Sequence, residues 1–129
     1  MSQRTNLHLM PPLTISVRVE DSFAILDLSG GLTLSPSLST LREVARNALQ
    51  RNKIDGIILC VSQITATDSA GIGELTIVYT ISMKRSCPIV LVGVSPSLGK
   101  MLELTRLDGI LPSAGDIASA KRLMGSSRV

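Results

Sequence analysis

The sequence predicts a small α/β domain built on a mixed sheet, and three observations predict it. Residues 13–20, LTISVRVE, alternate apolar and polar side chains, the mark of a strand with one wet face. Two runs, GIILCV at 56–61 and IVLVGV at 89–94, are uniformly apolar, as strands are when covered on both faces of a parallel sheet. Each run is followed by helical periodicity, over 69–84 and 97–107 respectively.

Taken in order, Asp21 and Ser22 make a turn, and FAILDLSG at 23–30 reads as the hairpin partner of the first strand. Gly30 and Gly31 then open a loop. Ser35 followed by Pro36 is a helix start, serine as cap and proline at the first helical position. Leu38, Leu41, Ala45, Ala48 and Leu49 recur at helical spacing up to about residue 51. After the strand at 56–61 comes the helix at 69–84, whose Ile72, Leu75, Val78, Tyr79, Ser82 and Met83 share the face expected against the sheet. Ser95 and Pro96 repeat the serine-then-proline start. Asp108 and Gly109 end that helix, residues 110–112 offer a short edge strand, and Asp116 caps a last helix to about Met124. The expected order is β-β-α-β-α-β-α-(β)-α, as one domain over 13–124 with tails at 1–12 and 125–129.

Composition narrows the function. Hydrophobic residues make up 44% of the chain and aromatic residues only 2%, so aliphatic side chains must build the core. Without aromatic platforms, stacking on single-stranded nucleic acid is not expected. The net charge of +3 is no basic patch: Arg4 and Arg128 sit in the expected tails, and the remaining charges are mixed in sign. Cys60 and Cys87 lie in or beside apolar runs and His8 is the single histidine, so no metal site or cofactor is expected. MSQRTNLHLMPPL lacks the apolar block of a signal peptide, and no stretch approaches the ~20 apolar residues of a membrane helix, so the expected location is the cytoplasm, without membrane insertion.

No enzyme motif survives inspection. TDSAG at 67–71 lacks the first glycine of a nucleophile elbow and has no histidine base outside the N-terminal tail. Gly93 to Lys100 misses the phosphate-loop spacing, and Thr76 stands where a dinucleotide fingerprint needs its third glycine. What remains is TATDSAGIGELTIVYT at 65–80, at the end of a central strand, where α/β sheets present their functional loops. Asp68 or Ser69 can simply cap the helix while Gly71 and Gly73 let it pack close, or Ser69 can offer a functional hydroxyl at a terminus that favours negative charge. A second apolar stripe of that helix, Ala70, Ile77 and Ile81 with Glu74, Lys84 and Arg85 at its rim, is either a partner surface or the seat of the C-terminal helix.

Asp68-Ser69-Ala70-Gly71-Ile72-Gly73, between an apolar strand and an apolar helix, resembles the Asp-Ser-x-Gly-[Leu/Ile]-Gly signature of STAS domains, in particular of bacterial anti-sigma factor antagonists. LSGGL at 28–32 and VGVSPSLGKMLELTRLDGIL at 92–111 extend the likeness over about 13–124. The resemblance implies a STAS-like domain with a four- to five-stranded mixed sheet and helices mainly on one side, acting by binding and not by catalysis. By position Ser69 would accept phosphate from an anti-sigma factor that is also a serine kinase. The unphosphorylated form would bind that partner and release sigma. Asp68, Gly71 and Gly73 would shape the helix start, and Ala70, Glu74, Ile77 and Ile81, with the loop of Gly31, Leu32 and Thr33, would form the docking surface. Many relatives carry Gly-Glu-Leu-Asp where this chain has Gly30-Gly31-Leu32-Thr33, so neither carboxylate is available. The resemblance is compatible with a homodimer, and also with a STAS scaffold or accessory subunit, in a stress-signalling or lipid-transport complex, that is never phosphorylated.

Overall fold

The computed structural model describes residues 11–51 and 53–126. Five strands, β1 (Thr14–Glu20), β2 (Phe23–Leu32), β3 (Gly56–Thr67), β4 (Ile89–Val92) and β5 (Ser113–Ala114), form one sheet in that order. β1 pairs antiparallel to β2, and the others run parallel. Four helices, α1 (Thr40–Arg51), α2 (Ser69–Lys84), α3 (Pro96–Leu104) and α4 (Ile117–Ser126), alternate with the parallel strands. The sequence therefore foretells both the element order and the mixed sheet.

Register explains the two uniformly apolar runs. Ile57, Leu59 and Val61 of β3 and Ile89 and Leu91 of β4 point to the face covered by α1, α2 and α3. Ile58 and Val90 point to the other face, where α4 covers them with Ala120 and Met124. A strand sandwiched in this way has no wet side on which to place polar residues. β1, at the sheet edge, is exposed along most of its length and keeps its alternation. Asp21 and Ser22 both adopt positive φ, at 52° and 68°, the combination a two-residue hairpin turn demands.

Several boundaries differ from expectation. Gly30 and Gly31 do not open a loop but continue β2 to Leu32, through register shifts against β3. Gly30 sits at φ 93°, and a Cβ there would lie 2.2 Å from the Pro12 carbonyl oxygen, so the glycine lets the chain before β1 cross the strand end. β3 runs to Thr67, not residue 61, because its polar second half pairs with Ser29 to Leu32. The α-helix expected from residue 35 begins at Thr40. Residues 36–39 make tight turns instead, and the Ser37 hydroxyl accepts from the Leu13 amide. At the second serine–proline pair the cap does form: Ser95 Oγ accepts from the Leu98 amide at 3.2 Å. α3 stops at Leu104, short of residue 107, and the edge strand is Ser113–Ala114, not residues 110–112. Asp116 caps α4 through the Ser119 amide, as its position predicts. Met83, expected against the sheet, is exposed. Burial pushes both the Cys60 and Cys87 thiols up to about 11, leaving them protonated near neutrality.

Candidate functional site

The site is built where β2 and β3 end and α2 begins. Asp68 is the N-cap of α2 in extended backbone, and its Oδ1 accepts from the Gly71 amide at 2.9 Å. Its Oδ2 reaches across to the Leu34 amide at 3.0 Å. One carboxylate thus satisfies an orphan donor of the helix and pins the loop after β2. These N–H groups, Leu34 first and Gly71 next, hold the Asp68 carboxyl below its ordinary range.

The sign of that shift gives a pH prediction. A carboxyl whose folded pKa is depressed stabilises the fold above its unfolded value of about 4, and that stability is lost as pH falls toward the folded value. In acid titrations followed by urea unfolding, Asp68→Asn is expected to remove part of the stability loss seen below about pH 4. Asparagine can still cap the helix.

Gly71 is the contact that seats the helix. A Cβ at this position would stand 1.8 Å from the Leu32 carbonyl oxygen, so only glycine allows α2 to start so close to β2. Gly73 differs: nothing lies within 4 Å of a Cβ built there, and the residue is exposed. It does not serve the close packing that the sequence suggests. Ser69, the first residue of α2, is exposed, at a helix terminus where added negative charge is favourable.

Of the seven expected surface residues, three are buried and four are half-buried. Glu74, placed by helical projection on the charged rim, is only 2% exposed. α1 packs alongside α2, and Arg42 clasps the carboxylate with Nη2 at 2.5 Å, Nε at 3.1 Å and its own backbone amide at 3.1 Å. The Glu74 hydrogen bond raises the Arg42 guanidinium further. Leu32 is fully buried in the core, and Gly31 is buried with its amide bonded to the Pro11 carbonyl, so neither can meet a partner. Ala70 and Ile81 are half-buried against the core. Ile77 and Thr33 are half-buried too, so parts of all four remain at the surface. The C-terminal helix does not cover this stripe, because it lies on the other face of the sheet.

Sequence reasoning missed Leu34. It is 79% exposed while its amide is fixed to Asp68, which leaves a large apolar side chain in water beside the helix start. Its apolar character within a polar loop was visible; its proximity to Asp68, 34 positions away, was not.

The α/β layer, with three helices on one face of the sheet and one on the other, presents an exposed serine at a helix start. The STAS domain model matches residues 14–120, and the chain belongs to that family. Its fold is similar to that of a Moorella thermoacetica RsbS variant, at TM-score 0.75 and 17% identity over 89% of this chain and 98% of that one. An anti-sigma factor antagonist from Mycobacterium paratuberculosis aligns at TM-score 0.72 and 18% identity, covering 87% of this chain and 93% of that one. The Bacillus cell fate determinant SpoIIAA in its phosphorylated form aligns at 0.65 and 17%, covering 85% and 99%. At these identities the likeness is one of fold. No helix among the described residues is long and apolar enough to cross a membrane.

Proposed function

We propose that this chain is an anti-sigma factor antagonist that acts by binding, with Ser69 as the phosphate acceptor that switches it off. The observation that carries the reading is the exposed Ser69 beside Asp68, at the start of a helix whose first turn is already fixed. A relative of the fold is described in a phosphorylated form, which supports the same chemistry here. The docking surface would comprise Leu34, Thr33, Ser69, Ala70, Gly73 and Ile77, the residues of this corner that keep some exposure. The partner would be an anti-sigma factor with serine-kinase activity, met in the cytoplasm.

A phosphoserine brings about −1.5 to −2 charges. Within the fold the helix terminus tolerates it. At an interface it must be desolvated next to the Asp68 carboxylate, which costs more than a contact there returns. A penalty of about 2.7 kcal/mol weakens binding ~100-fold, enough for a switch.

The test incubates the protein with a candidate anti-sigma kinase and ATP, maps the phosphate, and compares variants in pull-down. Ser69→Ala is expected to keep binding, and Ser69→Asp to weaken it ~100-fold without changing thermal stability. Equal capture of both variants would remove the switch and leave a scaffold. A second measurement checks the surface. Leu34→Ala is expected to weaken capture by about tenfold or more, as an exposed apolar anchor should. Folding stability should stay within about 0.5 kcal/mol.

A further inference from the structure

The sheet ends on one side at β5, which is two residues long, and on the other at β1, which has seven. Among the described residues nothing pairs with the outer edge of β1. The hairpin fixes which groups face outward. Glu20 opposite Phe23 closes the two-residue turn as a hydrogen-bonded pair, so Arg18, Ser16 and Thr14 also bond to β2. The N–H and C=O groups of Ile15, Val17 and Val19 therefore point away from the sheet. Such a row is a template for another strand.

The side chains of the same three residues lie on the helical face, opposite Leu28, Leu26 and Ala24 of β2. Val17 is 45% exposed and Val19 46%, and Val17 lines a groove with Val44, Asn47, Ala48 and Arg51 of α1. The charges that usually blunt an edge are spent internally: Arg18 is paired with both Glu20 and Asp27 of its own chain. Edge, apolar side chains and groove are contiguous.

We propose that this chain forms a two-fold homodimer by antiparallel pairing of β1 with β1 of a second copy, centred on Val17. The sequence of the strand is self-complementary about that point. Val17 faces its own copy, Ile15 faces Val19, Ser16 faces Arg18 and Thr14 faces Glu20, with no like charges opposed. All three outward-facing residues find hydrogen-bonded partners, about six bonds in total. Neighbouring registers are worse. Centring on Arg18 sets two guanidinium groups directly opposite each other. Centring on Ser16 opposes Val19 to Leu13, whose amide is already bound to the Ser37 hydroxyl. The central register also lines up the exposed valines of both copies on one face, next to the α1 grooves. Ser69 begins α2 after β3, two strands in from this edge, so the dimer leaves the proposed phosphate acceptor free.

Sedimentation and cysteine cross-linking test the dimer in the full chain. Cys60→Ser serves as background, since Cys87 is buried. Residues in a hydrogen-bonded antiparallel pair have Cα atoms about 5.5 Å apart, within the range a disulfide spans. Val17→Cys is expected to form a covalent dimer on mild oxidation. Ile15→Cys and Val19→Cys alone should not, but an equimolar mixture of the two should. Val17→Pro, which removes an outward amide that the monomer does not use, is expected to convert the dimer to monomer with an unchanged far-UV spectrum. A monomer at every concentration with no Val17→Cys cross-link would overturn the proposal, as would Ile15→Cys joining to itself. Either result would leave the Ser69 switch untouched, because that reading does not depend on the edge.

Discussion

Gly71→Ala is expected to destabilise the protein by about 3 kcal/mol, read as a fall in the urea midpoint. In an ordinary helix the same substitution gains about 1 kcal/mol, because alanine has the higher propensity. The sign reverses here because the new methyl would meet the Leu32 carbonyl oxygen at 1.8 Å and its carbon at 2.7 Å. Backbone atoms at the end of a paired strand cannot rotate aside as a flexible side chain could. The helix must move, and Asp68 and its hold on Leu34 move with it. Gly73→Ala is the matched control: with open space around its Cβ it should follow propensity and stabilise by about 0.5–1 kcal/mol. If Gly71→Ala proved as stable as the parent, α2 would not be seated on β2 as described.

The two glycines show what a sequence can and cannot disclose. Their spacing marked the helix start, but nothing in it separated the one that touches backbone from the one that touches nothing. The paired serine–proline motifs teach the same lesson. Ser95 caps α3, whereas at Ser35 the neighbouring Ser37 hydroxyl is taken by the Leu13 amide, 24 positions away, and the helix starts later. Local chemistry was legible where nothing distant competed for the same group. The strands of the parallel layer were legible because covering on both faces excludes polar residues and leaves unbroken apolar runs. The polar half of β3 was not, since its pairing with β2 depends on register and not on pattern. Asp68 and Ser69 stood out because a polar pair between two apolar elements has few structural uses. Leu34 was missed and Glu74 misplaced for one reason: each is defined by a second element, the first by a carboxylate from α2's cap and the second by α1.

Arg42→Ala is the complementary test, because it removes the cation that makes a buried Glu74 tolerable. The carboxylate keeps the Arg42 backbone amide but loses the guanidinium, and a buried charge stripped of its partner costs about 3–5 kcal/mol. The Arg42 side chain is 34% exposed, so water can partly replace it and about 3 kcal/mol, the lower end, is expected. The double variant Arg42→Met, Glu74→Met should recover most of that loss, to within about 1 kcal/mol of the parent, since apolar packing often equals a buried ion pair. Additive losses in the double variant would instead mean that each side chain packs independently and that the pair itself contributes nothing. The outcome bears on function through rigidity. α2 carries four of the six residues of the proposed docking surface, Ser69 among them, and the ion pair ties it to α1 while Gly71 ties it to β2. A helix held from two directions has little freedom to shift, so the phosphate proposed at Ser69 would act on the partner through charge and not by moving α2.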